Sequence, residues 1–439
     1  MSLLELVNRR RVFLALLVTL ALTVVTLALM LGPLGRALLL ICVGLPVFVA
    51  VPAIVLRRWW WRLLGGVGGA VGFVAALAVA VRLRYGGGDP YPDLRTPPLV
   101  PASALTPLVT LDYPPGNVAI ASDGRTFFNY HPFARAERFG APTVFELVAG
   151  VPRPYPDASF QARYQGVFGM TIDRQQRLWF VEPAGLDHEA TRLMAFDLRT
   201  NAVAYEYAFP PGVAQFAQDL RVSPDGGTVY TADTGLFEFT DASLFVVDVA
   251  SRSYRRVLID APSTRPQHWV IHTKFGAHKL GYGLVTFVVG IDGIELSPDG
   301  AWLYYGAMSH DHLYKVPTAA LRDPAVDADE LAQQIVEVGR KPLSDGITLD
   351  RDGSVLITDI EHGGLARLDP HGALTTVVTS PDVIWADGVV VAPDGDVVFT
   401  DSAIPAYIDQ LARPPAEDDL VAGRPYHIYR VRLPGRLTR

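Results

Sequence analysis

The apolar positions of this chain follow two different patterns. Three almost continuous apolar stretches occupy the first part, at about residues 12–31, 37–56 and 63–81. Beyond residue 108, short runs alternate between apolar and polar residues and are separated by tight-turn residues. Apolar runs of about 20 residues are long enough to cross a bilayer as helices, whereas alternation with period two is typical of half-buried strands. The pattern therefore predicts three transmembrane helices followed by an all-β domain.

One phrase of the β region is repeated. In IDGIELSPDG, SDGITLDRDG and ADGVVVAPDG, an Asp-Gly pair opens an apolar run that a turn closes. The aspartates are Asp292, Asp345 and Asp387, and the turn glycine follows each of them eight residues later. Weaker turns of the same kind, ASDG, DRQQ and SPDG, begin at residues 121, 173 and 223. Most steps between turns are close to the roughly 40–50 residues of a propeller blade, so the sequence predicts a six-bladed β-propeller.

Composition supports a division into a membrane part and a large outer domain. Apolar residues make up 50% of the chain, and the apolar excess lies in residues 1–85. Residues 86–107 are rich in Gly and Pro, and residues 108–439 have the length of one propeller. Cys42 is the one cysteine and lies in the second apolar stretch, so no disulfide is expected in the outer domain. We predict a membrane domain (1–85), a stiff linker (86–107) and one propeller (108–439).

The arginines around the apolar stretches predict the topology. Six of them precede the first stretch or follow the second, and three lie on the opposite sides. Because arginine-rich flanks stay in the cytoplasm, the propeller is expected on the periplasmic or extracellular side of an inner or plasma membrane. Trp59, Trp60 and Trp61 lie among the inner arginines and are expected at the lipid headgroups. A cleaved signal peptide would have a shorter apolar run and no further spans.

Charge and motifs exclude several functional classes. The net charge is −7, and no basic stripe lies outside the membrane flanks, so nucleic acid is not an expected partner. The chain has no Walker loop, no G-x-S-x-G elbow, no H-E-x-x-H motif and no cysteine-based metal motif. The expected partners are therefore the lipid bilayer and a small-molecule ligand or substrate.

The three repeated aspartates are the main candidates for chemistry. In a propeller the inner strands line the central channel, so Asp292, Asp345 and Asp387 are expected at one mouth of it. Two carboxylates about 4 Å apart repel by about 4 kcal/mol at an effective dielectric constant of 20. Such groups must take up protons, pair with bases or hold a cation. We predict a divalent-metal site here, and Ca²⁺ is favoured because it accepts oxygen ligands without strict geometry.

Further polar residues are expected around the same mouth. They lie at the starts of other inner strands or in the loops that follow the second strand of each blade. The predicted rim residues are Asn117, His131, Glu182, Asp219, Asp233, His310, His312, Asp359, His362 and Asp401. The alternative for each of them is that it caps backbone N–H groups of its own loop.

A long insertion, residues 260–290, interrupts the regular spacing of the blades. It contains His272 and His278 and directly precedes the repeat of Asp292. Long loops inside a regular fold often have a function, so we expect this segment to cover the mouth as a lid. The alternative is an ordinary surface loop.

Several stretches of the predicted propeller resemble the major royal jelly protein/Yellow family. Among them are QGVFGMTIDRQQRLWFVEPAG, GIDGIELSPDGAWLYYGAMSHDHLYKVPTAAL and LSDGITLDRDGSVLITDIE, and the resemblance covers about residues 108–433. It implies an isomerase-like activity or plain binding of a small molecule. The Asp-Gly repeats are more distantly similar to the gluconolactonase and senescence marker protein (regucalcin) family of six-bladed propellers.

The gluconolactonase resemblance implies roles for individual residues. In that family a Glu, an Asn and an Asp at the starts of inner strands bind a divalent metal, and the Asp is also the catalytic acid/base. The Asn position matches Asp292 and the Asp position matches Asp345, which makes Asp345 the predicted catalytic residue. The Glu position has no counterpart; either Asp387 supplies the missing ligand, as we expect, or the site holds no metal. The implied function is a metal-dependent, lactonase- or esterase-like hydrolase, and the alternative is a non-catalytic small-molecule-binding propeller.

Overall fold

The computed structural model describes residues 59–134, 142–185, 188–407 and 416–434. The chain divides into two compact units, Met1–Gly87 and Gly88–Arg439. In the first unit the described element is one helix, Trp59–Tyr85. Its segment Val67–Tyr85 has a mean hydropathy of 1.7 and is long and apolar enough to cross a membrane. The third predicted span falls within this helix.

Two predictions about the first unit lie outside the described residues. The stretches at about 12–31 and 37–56 belong to the part of the chain whose placement is not described. The side chains of Trp59, Trp60 and Trp61 are likewise outside the described part. The three predicted spans therefore remain a prediction, and the structure describes one candidate helix.

The second unit is a six-bladed β-propeller. Each blade is a sheet of four antiparallel strands, and the first strand of blades 1 to 5 lies innermost. The strands of blade 1 are Pro115–Ile120, Thr126–Tyr130, Val144–Val148 and Val151–Pro154. Those of blade 2 are Met170–Ile172, Arg177–Glu182, Arg192–Asp197 and Ala202–Ala208. Those of blade 3 are Ala217–Val222, Thr228–Asp233, Ser243–Asp248 and Ser253–Val257.

The later blades follow the same order. The strands of blade 4 are Ile291–Leu296, Trp302–Ala307, His312–Pro317 and Val336–Arg340. Those of blade 5 are Ile347–Leu349, Val355–Asp359, Gly364–Leu368 and Leu374–Thr379. Those of blade 6 are Ala386–Val391, Val397–Asp401, Tyr426–Val431 and Thr106–Leu111. Short helices lie between the third and fourth strands of blade 4, at Thr318–Arg322 and Ala328–Ala332, and between the second and third strands of blade 6, at Glu417–Ala422.

The ring closes through strands from the two ends of the propeller. Thr106–Leu111 forms the outer strand of blade 6 and pairs antiparallel with Tyr426–Val431. In the sequence, apolar residues alternate near Leu108 and again near His427, which predicts that these two end strands complete one blade and close the ring. Because the last blade combines both ends of the domain, each blade has a neighbour on both sides.

The turn chemistry of the repeats is visible in the backbone. Between the first and second strands, five blades place a glycine at positive φ, namely Gly124, Gly226, Gly300, Gly353 and Gly395. In blade 2, Gln176 occupies the same position with φ 59°. Positive φ is strained for residues with a Cβ, which explains why glycine recurs here and why the DRQQ turn is the weaker match.

The core consists of apolar layers between neighbouring blades. Phe127 and Phe180 are fully buried between blades 1 and 2, and Tyr230 and Leu303 between blades 3 and 4. Most residues of the second strands are buried, and in Thr228–Asp233 all six are, because sheets cover these strands on both faces. Their continuous apolar character follows from this two-sided packing.

The insertion and the linker both lie against the propeller. The insertion forms five two-residue strands, Trp269–Val270, His272–Thr273, Gly276–Ala277, Lys279–Leu280 and Val285–Thr286. The first of these pairs in parallel with Asp89–Pro90. The backbone N–H groups of Leu99 and Val100 donate to the carbonyl oxygens of Thr376 and Val377 in blade 5. These contacts of the Gly- and Pro-rich linker use backbone groups and produce no periodic pattern of side chains, so they could not be predicted from the sequence.

Candidate functional site

Acidic side chains of three neighbouring blades meet at one mouth of the channel. Asp292 and Asp387 lie at β-bulges near the starts of the inner strands of blades 4 and 6. Asp345 lies two residues before the inner strand of blade 5, Ile347–Leu349. All three line one cavity, together with Asn117 and Asp219. The predicted metal ligands are therefore adjacent in the structure.

The glycine after each aspartate allows the inner strands to approach closely. A Cβ atom on Gly346 would lie 2.4 Å from the carbonyl oxygen of Asp387, and one on Gly388 would lie 2.8 Å from Oδ1 of Asn117. Cβ atoms do not tolerate such contacts, so these positions require glycine. The Asp-Gly pair thus places a carboxyl group at the channel while it keeps the ring narrow.

Threonines of the second strands hold these inner segments in place. The hydroxyl of Thr358 accepts hydrogen bonds from the backbone N–H groups of Asp345 (3.1 Å) and Gly346 (2.9 Å). In blade 3, Thr231 donates to the carbonyl oxygen of Asp219 at 2.8 Å. A bulge leaves backbone groups without ladder partners, and a buried hydroxyl can satisfy them. The threonine that recurs in YTADT, ITDIE and FTDSA therefore supports the acidic mouth.

Asp292 is the most deeply buried of the three acids. The residue is 3% exposed, and its Oδ2 atom is buried with no hydrogen-bond partner among the described residues. Burial raises the pKa of Asp292 well above its usual range, and the charges of Asp345, Asp219 and Asp387 raise it further. A buried carboxylate oxygen without a partner is costly unless it takes up a proton or contacts a cation.

Asp345 is held by a buried indole. Nε1 of Trp385 donates a hydrogen bond of 2.7 Å to Oδ2 of Asp345. Burial raises the pKa of Asp345 to about 7, while the bond from Trp385 lowers it and the charge of Asp219 raises it. The carboxyl group therefore has a fixed orientation and ionises close to neutral pH.

Asp387 faces a neutral histidine. Burial raises the pKa of Asp387 well above its usual range, and the charge of Asp345 adds to this effect. Nε2 of His131 lies 4.0 Å from Oδ2 of Asp387, and the backbone N–H of Phe133 donates to Nδ1 of the same ring at 3.2 Å. The neutral ring therefore carries its hydrogen on Nε2. Because burial lowers the pKa of His131 to about 3, the ring directs an N–H dipole and no full charge at Asp387.

Asp219 has a different role from the other channel acids. Its Oδ1 accepts a bond of 2.7 Å from Arg221, and its Oδ2 accepts one of 3.1 Å from the backbone N–H of Ile294. Arg221 also contacts Glu295, with 3.1 Å between Nε and Oε1. Both carboxylate oxygens of Asp219 are therefore occupied, and this group joins blades 3 and 4.

Two of the cavities formed by the described residues lie along the channel. The acidic mouth leaves about 40 Å³ for the centres of water-sized molecules, and a second cavity beyond Asp219 leaves about 210 Å³. A water molecule needs about 10–15 Å³ on this measure, so the mouth has room for an ion with a few waters or for a small chemical group. Its apolar wall consists of Phe133, Phe168, Leu236, Phe287, Val289, Met308 and Ile404.

Three of the predicted rim residues, Asn117, His131 and Asp219, line the mouth cavity. Asp401 lies behind it and accepts bonds of 2.9 Å from the backbone N–H groups of Ile384 and Trp385. Asp401 therefore helps to position the indole that holds Asp345.

The other rim residues bond to loops and do not line the mouth cavity. Glu182 accepts from the backbone N–H of Gln165 at 2.7 Å, and Asp233 accepts from that of Gly235 at 3.0 Å. Asp359 bonds to His362 at 2.9 Å. His310 and His312 lie on either side of Asp311. For Glu182 and Asp233 the structure shows the loop-capping arrangement that was the alternative in the sequence.

The insertion covers part of the mouth, but its histidines do not line the cavity. Phe287 and Val289 are the residues with which this segment enters the cavity wall. Nε2 of His278 lies 2.7 Å from the hydroxyl of Thr273, and its ring packs edge-on against Trp385 at 6.2 Å. The backbone N–H of His272 donates to Glu361 at 2.7 Å.

Lys341 and Trp385 do not line the cavity but act on its acids, Trp385 by a hydrogen bond to Asp345 and Lys341 by its charge on Asp292, and sequence reasoning missed both. Lys341 is fully buried, and its Nζ donates to the carbonyl oxygen of Pro342 at 3.1 Å and to the hydroxyl of Ser344 at 2.9 Å. Burial lowers the pKa of Lys341 to about 7, while Asp311 and Asp292 raise it. Lysine is almost always exposed, so the residue type predicts a surface position for Lys341. Its position four residues before Asp345 was the available signal.

Comparison with known proteins shows the family of this chain. A family model described as major royal jelly protein matches residues 165–385, which is half of the chain. Major royal jelly protein 3 of Apis mellifera is 23% identical over 238 residues, covering 51% of this chain and 42% of the relative. The chain thus spans less than half the length of that relative.

Solved structures with a similar fold include a gluconolactonase from Xanthomonas campestris and regucalcin, a calcium-binding protein, from Agrobacterium tumefaciens. The first has 15% identity and a TM-score of 0.47, and covers 79% of this chain and 98% of its own. The second has 14% identity and a TM-score of 0.45, and covers 77% of this chain and 96% of its own. The match of the family model over half of the chain shows that this protein belongs to the major royal jelly protein family.

Proposed function

We propose that the acidic mouth binds a divalent cation, with Ca²⁺ favoured, and that the pocket acts on a small lactone or ester as a hydrolase. The observation that carries the proposal is the convergence of Asp292, Asp345 and Asp387 on one cavity, where Oδ2 of Asp292 has no partner among the described residues. We further propose that the N-terminal helices anchor the propeller outside the cytoplasm.

The donor set fits a hard divalent cation. Carboxylate oxygens are the ligands that Ca²⁺ accepts in flexible geometry, with waters at the remaining positions. Asp292, Asp345 and Asp387 would hold the ion, because both oxygens of Asp219 already have partners. The small volume of the mouth suits an ion with a few waters better than a bulky organic group. When bound, the cation would polarise a carbonyl oxygen of the substrate.

Electrostatics supports the same proposal. The pKa values of Asp292 and Asp387 are well above their usual range because burial and mutual repulsion oppose ionisation. Lys341, whose charge acts on Asp292, is itself bonded to Pro342 and Ser344. His131 is neutral at physiological pH, since burial lowers its pKa to about 3. A cation would therefore neutralise charges that the described side chains leave largely uncompensated.

In the hydrolytic reaction Asp345 would move the proton. Trp385 holds one of its carboxylate oxygens, so the other is positioned relative to the cavity. The Nε2–H of His131 would orient a polar group of the substrate next to Asp387. Phe133, Phe168 and Phe287 would exclude bulk water from the reacting group. These roles require the substrate carbonyl to enter the mouth with the rest of the molecule outside it.

A second candidate is a binding propeller without turnover. The apolar wall opposite the acids favours it, because such a pocket suits a ligand with an apolar or aromatic part and a small polar or cationic group. In this case the carboxylates would attract the charged end of the ligand. Catalysis needs an accessible cation, whereas binding needs only the shaped pocket.

Metal binding decides between the two candidates. The full-length protein, purified in detergent and treated with chelator, should bind one equivalent of Ca²⁺ in equilibrium dialysis. Asp345→Asn should weaken binding, whereas Asp329→Asn, which changes an exposed helix residue, should leave it unchanged. Hydrolysis of a panel of small lactones should then require Ca²⁺ and be lost in Asp345→Asn. Failure to bind Ca²⁺ would refute the hydrolase proposal and favour a metal-free binding pocket.

A further inference from the structure

The insertion before blade 4 contains two short hairpins with exposed aromatic residues in their turns. In the first hairpin, the turn between His272–Thr273 and Gly276–Ala277 contains Phe275. In the second, which follows directly, the turn at residues 281–284 contains Tyr282. Phe275 is 56% exposed and Tyr282 is fully exposed, so they are the most exposed large apolar side chains among the described residues of the second unit. Neither ring contributes to the core.

The backbone of the second turn is unfavourable for a bulky side chain. Tyr282 has a φ of 59° and lies between Gly281, at 57°, and Gly283, at 85°. Positive φ is strained for a large residue, and an exposed turn of this kind normally has Gly, Asn or Asp at such positions. Strain of this type persists mainly where a residue has a function. A fully exposed tyrosine at this position therefore indicates that its ring has a partner outside the chain.

The insertion is basic, in contrast to the chain as a whole. Residues 261–290 contain Arg265, Lys274 and Lys279 and no Asp or Glu, whereas the net charge of the chain is −7. Nζ of Lys274 lies 5.8 Å from the centre of the Phe275 ring. Exposed aromatic rings next to lysines are typical of segments that lie in the headgroup region of a bilayer. There the rings enter the interface and the lysines attract anionic lipids.

A backbone pairing joins the insertion to the segment that follows the apolar helix. Asp89–Pro90 pairs in parallel with Trp269–Val270, and a Cβ atom on Gly88 would lie 2.5 Å from the carbonyl oxygen of His268. The pairing begins four residues after the end of the helix Trp59–Tyr85. Four residues of chain span at most about 14 Å. Chain length therefore keeps the insertion within short reach of the end of a helix that is long and apolar enough to cross a membrane.

We propose that the turns containing Phe275 and Tyr282 contact the headgroup region of the bilayer that the helix Trp59–Tyr85 crosses. This inference rests on the membrane anchoring proposed above. The partner is a lipid surface with anionic headgroups, because the exposed groups are aromatic rings and lysines. The second hairpin continues directly into Phe287, which lines the mouth cavity. Contact with the bilayer therefore acts on the wall of the site through one continuous segment.

Quenching of a fluorescent label by lipids tests the contact in the full-length protein. Cys42→Ala removes the native thiol, and Phe275→Cys or Tyr282→Cys then accepts a single nitrobenzoxadiazole label. In nanodiscs that contain anionic lipid, a nitroxide on the lipid headgroup should quench both labels, and the quenching should weaken without the anionic lipid. Tyr254→Cys is the matched control. Tyr254 is an exposed aromatic residue on the outer strand of blade 3, so its label should not be quenched.

A label on the helix separates this inference from the proposed anchoring. Val74→Cys places the label on an exposed helix residue, and a nitroxide in the acyl chains should quench it if the helix crosses the bilayer. Quenching at Val74 but at neither turn would overturn the inference and leave the anchoring intact. Absence of quenching at all these positions would refute both. Quenching at the two turns alone would support the contact and exclude this helix as the anchor. Equal quenching at Tyr254 and at the turns would overturn the inference, because the propeller would then associate with lipid non-specifically.

A variant that removes the ring and relieves the strain provides a second test. Tyr282→Asn should not lower the melting temperature in detergent, because asparagine adopts positive φ more readily than tyrosine. In nanodiscs, however, it should weaken the quenching of the label at Phe275→Cys, since one of the two rings in the interface is gone. Unchanged quenching in this variant would show that Tyr282 does not contact the bilayer and would overturn the inference.

Discussion

Nε1 of Trp385 donates a hydrogen bond of 2.7 Å to Oδ2 of Asp345, and both groups are buried. Trp385 precedes the inner strand of blade 6, while Asp345 precedes that of blade 5. An acid of one blade is thus oriented by the next blade. The backbone N–H of Trp385 is in turn held by Asp401 at 2.9 Å.

Trp385→Phe should destabilise the propeller and alter the acidic mouth. Phenylalanine fills much of the same space but leaves a buried carboxylate oxygen without its donor, which costs on the order of 1–3 kcal/mol. Thermal unfolding should show the lower stability at pH 8, where Asp345 is ionised. Trp302→Phe is the matched control, because Trp302 is only partly buried on blade 4. Equal melting temperatures for the two variants would contradict the role of the bond.

The neutral substitutions Asp345→Asn and Asp387→Asn should have opposite effects with and without Ca²⁺. In Ca²⁺ each should lower the melting temperature, since an ion bound only to the native state stabilises it by about 2.7 kcal/mol at a hundredfold excess over Kd. In chelator each should equal or exceed the parent, because one of several mutually repelling carboxylates is gone. If the melting temperature of the parent is the same in Ca²⁺ and in chelator, the metal site at the mouth does not exist.

Stability in chelator should depend on pH through Asp345. Its folded pKa of about 7 exceeds the ordinary value of 3.8, so the folded state binds the proton more tightly. This contribution is complete below about pH 4 and is lost as the pH rises to 7. His131, whose pKa burial lowers to about 3, acts in the opposite direction up to its ordinary value of 6.5. The informative quantity is therefore the difference between the parent and Asp345→Asn.

In urea unfolding, that difference should shift in favour of Asp345→Asn as the pH rises from 4 to 8. Asp329→Asn should keep the pH dependence of the parent, because Asp329 is exposed on a helix. A difference between the parent and Asp345→Asn that stays constant over this range would mean that Asp345 titrates as it does in the unfolded chain.

Gly388→Ala should disturb the closure of the ring. The new Cβ would lie 2.8 Å from Oδ1 and 2.9 Å from Cα of Asn117, so the inner strands of blades 6 and 1 would have to separate. Overpacking of this kind costs about 1–3 kcal/mol. Gly227→Ala is the control, because its Cβ would meet its nearest atom at 3.5 Å. Equal unfolding free energies for the two variants would show that the inner strands can separate freely.

A reporter fused after Arg439 should be active outside the cytoplasm. The prediction follows from the six arginines on the proposed inner sides of the apolar stretches and the three on the outer sides. Fusions to alkaline phosphatase and to a cytoplasmic fluorescent protein form a suitable pair, since each is active on one side only. Cytoplasmic activity would reverse the topology and the proposed compartment.

The repeats carried most of the information about the fold. The spacing between successive turns predicted six blades, and the structure confirms them. The closure of blade 6 by both ends of the domain was also predictable, because the apolar alternation near Leu108 and His427 left one strand to be supplied. These features depend on local chain geometry, in which glycine at positive φ and alternating burial have direct sequence equivalents.

Only part of the candidate site was predictable. The adjacency of Asp292, Asp345 and Asp387 followed from the repeat, because equivalent positions of neighbouring blades meet at the axis. The burial of Lys341 did not follow, nor did the bond from Trp385 to Asp345. The repeat specifies where a residue lies along its own blade and contains no information about what packs against it from the next one.

The propeller architecture and the acidic character of the mouth could be predicted from the amino-acid sequence, because both arise from a short pattern that is repeated around a ring. Only the tertiary structure decided which acids remain without partners. Asp219 is paired with Arg221 and accepts from the backbone N–H of Ile294, whereas Oδ2 of Asp292 has no partner among the described residues. Hydrogen bonds and desolvation depend on atoms that come together from different blades, and such contacts have no repeated pattern in the sequence.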